Sequence, residues 1–255
     1  MIMRLVKTIA DADRVYFLTE YIRGAEFFEV LRTLGLLNED DARFYAACLL
    51  LVLEYLQGKH IVYRDLKPEN VIIDHTGYPK LIDFGMAKVV PWKTYTMLGT
   101  PHYMAPEVIL GTGHGLEADC WSLGVMIYEM ICGKVPFGSE ATNSFEVYEA
   151  IVAAQLGFPG FTESMTTVKL LIKKLLNPSP VFRGSAKALK GHPWFASLQW
   201  DRVYQKRVRP PHKPHCPKPR AKEFDLINML EGEEDAVELE SSQVHHPPSN
   251  WAECF

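Results

Sequence analysis

Four polar side chains suited to phosphoryl transfer lie within residues 63–85, whose sequence is YRDLKPENVIIDHTGYPKLIDFG. Asp65 can accept a hydrogen bond from an attacking hydroxyl and align it, and Lys67 supplies a cation for the phosphoryl group that moves. Asn70 and Asp83 supply hard oxygen ligands for magnesium, with nucleotide phosphates and water completing its coordination. The types and spacing of these residues therefore predict transfer of a phosphoryl group from Mg-ATP to a hydroxyl.

Two short strands are expected to bring these residues together. Residues 71–73 (VII) and 80–82 (KLI) are expected to be these strands, and residues 75–77 between them have the composition of a turn. The hairpin would hold the loop that precedes it beside the loop that follows it, so side chains far apart in sequence meet at one metal. Gly85 leaves room for the carboxylate of Asp83 to turn inward.

Composition and charge exclude several other classes of function. The 255 residues (29.0 kDa) are 47% hydrophobic and 23% charged, and the net charge of −4 argues against nucleic acid or an anionic membrane as the main partner. The strongest apolar run, residues 46–53, is far too short to span a bilayer, and no signal peptide follows Met1. Cys120 and Cys132 lie in an apolar run and are predicted to be buried thiols. No CxxC pair occurs among the five cysteines, which favours a reducing, cytoplasmic compartment: Cys48, Cys120, Cys132, Cys216 and Cys254.

The elements expected along the chain add up to an α+β fold that is mainly helical. Residues 3–9 and 15–21 are expected to form a pair of strands. Asn38 is expected to cap a helix that runs to about Leu56, because acidic residues follow it in the first turn. A second buried helix is expected at 118–132. Further helices are expected at 144–154, 165–176 and 185–189.

The composition changes from Arg202 onward. Residues 202–222 mix basic residues with five prolines, which is incompatible with a helix or a central strand. Residues 231–240 are acidic without a basic residue, as in a solvated linker, while the aromatic Trp251 and Phe255 suggest that the tail docks somewhere.

The histidines and one cysteine of this tail could be considered as a zinc site. They lack the paired spacing of zinc ligands and lie among prolines, so a solvated tail is the favoured interpretation. These residues are His212, His215, Cys216, His245 and His246.

Arg64, next to Asp65, predicts a switch that responds to phosphorylation. An Arg at this place can pair with a phosphate on the segment that follows Asp83. Thr96 is the expected phosphoacceptor, because it lies four residues before Thr100 in TMLGTPHYMAPE. An unmodified loop threonine is the alternative for Thr96.

Two structural contacts are expected to support the loop. Glu107 should pair with a buried Arg, for which Arg183 is the candidate. Asp119 should accept hydrogen bonds from the backbone around Arg64. Breaking either contact would leave an uncompensated buried charge.

Together these motifs resemble the eukaryotic protein kinases. The stretches YRDLKPEN and DFG are followed in order by APE at residues 105–107, and Tyr63 stands where many members have His. Chance hardly supplies all three in this order, which disfavours the alternative of a surface loop with scattered charges. Tyr63, the stretch GTPHY at 99–103, Thr19 and the long acidic tail resemble the cyclic-nucleotide-dependent branch of the AGC group, and within it the protozoan cGMP-dependent type.

The resemblance implies a set of residues around the nucleotide. Glu20 and Ile22 would offer backbone hydrogen bonds to adenine, and Thr19 would be the gatekeeper. Ile72 would lie under the purine ring. Glu26 would serve both the nucleotide site and the substrate site.

The resemblance also implies the class of substrate. Glu26, Glu69 and Glu129 match acidic positions that bind basic residues preceding the phosphoacceptor, and three carboxylates are suited to arginine. Each Glu alone would more often be a solvated surface charge. Thr100 would contact Asp65 and favour Ser or Thr over Tyr as the substrate.

The implied organisation is a protein-kinase-like C-terminal lobe with remnant small-lobe strands. Residues 1–22 would be those strands and the hinge, 23–199 the C-terminal lobe, and 200–255 a partly disordered tail in which Phe224-Asp225 resembles a motif that packs near the nucleotide. The sequence holds no Gly-rich loop, strand lysine or helix glutamate of a small lobe, and no cyclic-nucleotide-binding domain. We therefore expect a truncated piece of a longer product rather than a true start at Met1, with exposed apolar strands and little activity of its own. The alternative is a non-catalytic module that binds substrates or regulators without turnover.

Overall fold

The computed structural model describes residues 1–215, and its fold is the mainly helical α+β fold that the sequence predicts. The helices are α1 (Phe27–Leu34), α2 (Glu39–Gly58), α3 (Pro106–Ile109), α4 (Glu117–Cys132), α5 (Ser144–Ala153), α6 (Thr166–Leu175), α7 (Ala186–Leu189) and α8 (Trp200–Tyr204). The strands are β1 (Leu5–Ala10), β2 (Val15–Thr19), β3 (Gly24–Glu26), β4 (Ile61–Val62), β5 (Val71–Asp74), β6 (Pro79–Leu81) and β7 (Lys88–Val89). Within this described range, no helix is both long and apolar enough to cross a membrane.

The core forms around α2 and α4, which pack against each other. The side chain of Asn38 accepts a hydrogen bond from the Asp41 amide at 2.9 Å, so the predicted cap of α2 is confirmed. α4 is buried on nearly every side and ends at Gly133, whose φ of 76° is the left-handed conformation that stops a helix. This burial fixes α4, and with it Asp119 in its first turn.

A three-stranded antiparallel sheet in the order β3-β5-β6 carries the loops of the predicted site. Val71 pairs with Leu81, so β5 and β6 form the expected hairpin. The residue before β5 and the residues after β6 therefore lie at the same end of the sheet. The first residues of the chain extend the sheet beyond β6, because the Met3 amide donates to the Leu81 carbonyl at 2.9 Å and the Leu81 amide donates to the Met1 carbonyl at 2.8 Å.

β1 and β2 form a separate antiparallel hairpin, with Thr8 opposite Phe17. Its apolar side chains face solvent: Leu5 is 55% exposed, Val15 57% and Phe17 62%. The predicted exposure of apolar surface on these strands is confirmed. In the part of the chain that the structure describes, no other strand joins this hairpin.

Several short elements were not predicted from the sequence. β3, α3, β4 and β7 have two to four residues each, which is too few for a periodic pattern, and α1 has eight. Gly24 shows what decides β3. A Cβ at this position would lie 2.3 Å from the carbonyl oxygen of Ile73 in β5, so only glycine allows the two backbones to approach this closely.

Two predictions are wrong. The prolines predict no helix from Arg202 onward, yet α8 continues through this residue, because the first proline, Pro210, lies beyond the helix and Val203 is buried against the core. Cys132 is partly exposed rather than buried, whereas Cys120 is fully buried as expected.

Several features of the predicted tail lie outside the described residues. They are Cys216, the Phe224-Asp225 motif, the acidic run 231–240, His245, His246, Trp251, Cys254 and Phe255.

A buried ion pair joins α3 to the turn before α7. Arg183 donates to both oxygens of Glu107 at 2.6 and 2.7 Å, and the two side chains are 0% and 5% exposed. Arg183 also donates to the carbonyls of Asn177 and Pro178, and its guanidinium lies 5.0 Å from the ring centroid of Trp121. The predicted pair is confirmed, and its remaining donors are satisfied as a buried charge requires.

Glu107→Gln should lower the free energy of unfolding by about 3–5 kcal/mol, because it leaves the buried Arg183 without its counter-charge. Glu54→Gln is the matched control, since Glu54 pairs with Lys190 at 2.8 Å where both side chains reach solvent. We expect a loss below about 1 kcal/mol for the control. Urea unfolding of the three proteins at pH 7 measures both, and equal losses would contradict the role given to burial.

Candidate active site

Asp119 fixes the backbone of the loop that carries Asp65. The carboxylate of Asp119 accepts hydrogen bonds from the Tyr63 amide at 2.8 Å and from the Arg64 amide at 2.9 Å. The residue is 1% exposed, and this burial raises its pKa to about 6, while the two amides and the Arg64 charge oppose the rise. The predicted contact between Asp119 and the backbone around Arg64 is confirmed.

Two residues of the site have left-handed backbone conformations. The φ angles are 71° at Arg64 and 53° at Asp83, in a region that costs a non-glycine residue about 1–2 kcal/mol. Asp119 holds Arg64 through its amide, and the Asp83 side chain accepts a hydrogen bond from the Gly85 amide at 3.0 Å. Both strained residues are thus held by polar contacts at the ends of the loops that carry the site.

Asp65, Lys67 and Thr100 form one hydrogen-bonded cluster. Lys67 Nζ donates to Thr100 Oγ1 at 2.7 Å and lies 2.9 Å from Asp65 Oδ2. Thr100 Oγ1 in turn donates to Asp65 Oδ1 at 2.7 Å, which is the contact that the sequence led us to expect. Asn70 Nδ2 donates to Asp65 Oδ2 at 2.7 Å. Donors on both carboxylate oxygens fix the orientation of this buried carboxylate.

Asn70 and Asp83 lie at the same end of the β5–β6 hairpin. The Ile82 amide donates to the Asn70 carbonyl at 3.0 Å, which ties the two loops together. Because the Asn70 amide nitrogen serves Asp65, its oxygen is the atom that can bind a cation, and Asp83 adds an exposed carboxylate. Within residues 1–215 no three His, Cys, Asp or Glu side chains are grouped to hold a metal unaided. One amide oxygen and one exposed carboxylate are hard oxygen donors of the kind that magnesium takes together with nucleotide phosphates and water.

The residues predicted around the nucleotide lie on three strands and one link. Thr19 ends β2, Glu20 and Ile22 are in the segment between β2 and β3, Glu26 is in β3 and Ile72 is in β5. Glu26 in β3 is directly opposite Ile72 in β5, so the structure brings these two together. Ile72 is also opposite Lys80, whose Nζ donates to the Glu20 carboxylate at 2.6 Å. That ion pair fixes the start of the segment that links β2 to β3.

The three glutamates predicted to bind substrate are not all in contact. The Tyr103 hydroxyl donates to Glu129 Oε2 at 2.6 Å. Burial raises the pKa of Glu129, the Tyr103 hydrogen bond opposes this, and the negative charge of Glu69 adds to the rise. Glu69 and Glu129 therefore interact. Glu26 lies on β3, which contacts the turn that carries Glu69.

Arg64 and Thr96 are not joined by a hydrogen bond in the described part of the chain. Arg64 Nε donates to the Met86 carbonyl at 2.5 Å, and Thr96 is exposed. Lys88 Nζ donates to Thr94 Oγ1 at 3.3 Å. A second cationic side chain, besides Arg64, therefore contacts the segment that carries Thr96. The pairing of Arg64 with a phosphate on Thr96 stays a prediction.

Two tyrosines support the site, although the sequence analysis predicted no role for their hydroxyl groups. The Tyr63 hydroxyl donates to the Ile82 carbonyl at 2.5 Å, and its ring meets Phe84 edge to face at 5.3 Å. Burial raises the pKa of Tyr63, so it remains a neutral donor. The Tyr103 hydroxyl likewise donates a hydrogen bond, to the carboxylate of Glu129. The signal in the sequence was an aromatic residue inside a polar motif.

Comparison with known proteins shows which family this chain is similar to. A family model described as "Protein kinase domain" matches residues 1–195. The chain is 42% identical over 244 residues to the cGMP-dependent protein kinase of Plasmodium berghei, an overlap of 94% of this chain and 28% of that protein. It is 41% identical over 244 residues to the cGMP-dependent protein kinase of Toxoplasma gondii, covering 94% and 24%. It is 42% identical over 255 residues to the cAMP-dependent protein kinase catalytic subunit PRKX of Homo sapiens, covering 98% and 65%. The chain thus spans between 24% and 28% of the length of these two cGMP-dependent relatives.

Asp119→Asn should change the way stability depends on pH. The pKa of Asp119 is about 6 in the folded protein and 3.8 in the unfolded reference, so the folded state binds the proton more tightly. The favourable contribution is present below the unfolded pKa and is lost as the pH rises through the folded pKa. Relative to Asp119→Asn, the wild-type free energy of unfolding should fall by about 3 kcal/mol between about pH 4 and pH 6.5 and then stay level.

Urea titrations of both proteins across this pH range measure the difference. Asp13→Asn, on the exposed turn between β1 and β2, is the control that keeps the wild-type profile. A difference between wild type and Asp119→Asn that does not change with pH would contradict the expectation.

Proposed function

The chain belongs to the protein kinase family, and on that premise we propose that it is the catalytic lobe of a serine/threonine protein kinase of the AGC group. The reaction is transfer of the γ-phosphoryl group of ATP to a Ser or Thr hydroxyl of a protein. The observation that carries the proposal is the cluster in which Lys67 and Thr100 both contact the buried carboxylate of Asp65.

Each residue of the cluster has a distinct task in this proposal. Asp65 accepts the hydrogen bond of the substrate hydroxyl and aligns it with the phosphorus, because donors on both of its oxygens already fix its orientation. Lys67 neutralises charge on the phosphoryl group as it moves. Magnesium, when bound, neutralises the nucleotide phosphates, and Asn70 and Asp83 are the residues that would hold it. The adenine would be bound along the segment that carries Thr19, Glu20, Ile22, Glu26 and Ile72.

Selectivity for basic substrates follows from the acidic pair. Glu129 is partly buried beside Glu69, and within residues 1–215 no lysine or arginine forms an ion pair with it. An arginine placed between Glu69 and Glu129 would supply a cation through charge-assisted hydrogen bonds. Glu26, on the neighbouring β3, would extend the acidic surface along the substrate. Thr100, bonded to Asp65, would favour Ser or Thr over Tyr.

The proposal includes an organisation and a mode of control. Residues 23–199 would form the lobe, 1–22 the strands and hinge of a small lobe, and 200–255 the tail. A phosphate on Thr96 would pair with Arg64 and order the segment that follows Asp83. Assignment to the cyclic-nucleotide-dependent branch rests on identities of 41–42% to relatives named cGMP- or cAMP-dependent. A cytoplasmic location is part of the same proposal.

A binding module without turnover is the second candidate. The observation that favours it is the hairpin of β1 and β2, whose apolar side chains are exposed in the described part of the chain. A chain with this hairpin exposed could bind a protein through its acidic surface while it positions ATP poorly.

The decisive experiment measures transfer of radioactive phosphate from Mg-ATP to a serine peptide with two preceding arginines. We expect slow transfer by the wild-type chain and by Asp13→Asn. Asp65→Asn should reduce it by about 10²–10⁴-fold, to background, because the hydroxyl loses its acceptor. Peptide binding that persists while wild type and Asp65→Asn transfer equally little would favour the binding module instead.

Glu129→Gln should weaken binding of basic peptides and leave the chemical step unchanged. We expect KM for the arginine peptide to rise by roughly tenfold with kcat preserved, since one charge-assisted contact is lost before the transition state. Glu149→Gln, at an exposed position on α5, is the control. Replacing the peptide's arginines by alanine should abolish the difference between wild type and Glu129→Gln, and a difference that survives would contradict the assignment.

A further inference from the structure

A small cavity lies between the loop of Asp65 and the segment that leads to Thr100. Its volume is about 10 Å³, close to the minimum that holds one water molecule. Arg64, His114 and Asp119 supply polar groups to its lining, while Leu98 and Met104 are among its apolar walls. A cavity with several polar partners and this size is suited to a water molecule rather than to an organic ligand.

Two nitrogen atoms of the lining residues are buried without a partner. They are Nη1 of Arg64 and Nε2 of His114, for neither of which residues 1–215 provide a hydrogen bond. The His114 side chain is only 2% exposed, so solvent outside the cavity cannot reach its nitrogen. Buried polar atoms in folded proteins are nearly always paired with protein groups or with ordered water.

The backbone of His114 holds the segment that carries Thr94 and Thr96 and leads to Thr100. Its amide donates to the Thr94 carbonyl at 2.9 Å, and the Thr94 amide donates back to the His114 carbonyl at 2.9 Å. Thr94 is buried and lies two residues before Thr96. On the other side of the cavity, Arg64 is fixed by Asp119 through its amide and reaches the Met86 carbonyl through Nε. A group that joined His114 to Arg64 would therefore link the two loops of the site.

We propose that one buried water molecule fills this cavity, accepts a hydrogen bond from Arg64 Nη1 and donates one to His114 Nε2. Its second hydrogen would point to the carboxylate of Asp119, which gives the water three polar partners. His114 is then a positioning residue for the phosphoryl transfer proposed above, on which this inference rests, because it ties Thr94 to the residue next to Asp65.

His114→Phe and His114→Gln test the link. Phenylalanine keeps a ring of similar size, displaces the water and leaves Arg64 Nη1 facing an apolar edge, whereas the amide of glutamine can replace Nε2. We expect amide hydrogen exchange at Thr94 to be roughly tenfold faster in His114→Phe than in wild type, and near the wild-type rate in His114→Gln. The value of kcat should fall by roughly tenfold in His114→Phe at unchanged KM for ATP, and His114→Gln should restore it.

A crystal structure of the wild-type chain at high resolution gives a readout that does not depend on activity or on a variant that folds. A water molecule within hydrogen-bond distance of both Arg64 Nη1 and His114 Nε2 is the expected result. A dry cavity, or exchange at Thr94 that is the same in wild type and His114→Phe, would overturn the inference. If the wild-type chain transfers no phosphate, the structure and the exchange rates still decide this inference, so its failure is separable from failure of the proposed function.

Discussion

The geometry of the site depends on one buried carboxylate. Asp119 sits in the first turn of a helix that is enclosed by the core, and it accepts the amides of Tyr63 and Arg64. Those two hydrogen bonds hold Arg64 in a left-handed conformation that it would otherwise leave. Because Asp65 is the next residue, the same two hydrogen bonds set the direction in which the backbone enters Asp65. Burial disfavours the charged form of Asp119 and so raises its pKa. Because α4 is enclosed by the core, it holds the Asp119 carboxylate in a fixed position.

Some carboxylates near the site are paired with a cation, and Glu129 differs from them. Glu107 is fully matched by Arg183 in the interior, and Asp65 has Lys67 at 2.9 Å. Among the described residues, Glu129 has the neutral hydroxyl of Tyr103 as its hydrogen-bond partner, and a second carboxylate, Glu69, is close to it. Groups whose pKa is shifted by burial and by a neighbouring charge are concentrated at functional sites. Under the proposed function, Glu129 would mark the side of the protein that binds a cationic substrate, whereas the paired charges hold the fold together.

Sequence reasoning succeeded where a feature is local and failed where it depends on distant contacts. The helix capped by Asn38 and the hairpin of β5 and β6 follow from periodicity, a capping side chain and a turn, all within a short window. The strand that begins at Gly24 has three residues, and its pairing is decided by how closely its backbone approaches Ile73. The helical Val203 was missed because prolines further along outweighed a single apolar residue that packs on the core. In the site, residue types were predictable, whereas the tyrosine contacts were not, since they require the fold to be known.

The pairing of the first three residues with β6 has a consequence for synthesis of the chain. Met1 and Met3 find their backbone partners at Leu81, and that residue is added roughly 4–16 s later at ordinary translation rates. During this interval the N-terminal segment has no native sheet to join, while the apolar hairpin behind it has already left the ribosome. Contacts between residues so far apart in sequence also form slowly after release. Residues 1–3 therefore stay without their sheet partner until Leu81 has been made, and slower translation before Leu81 would lengthen this interval.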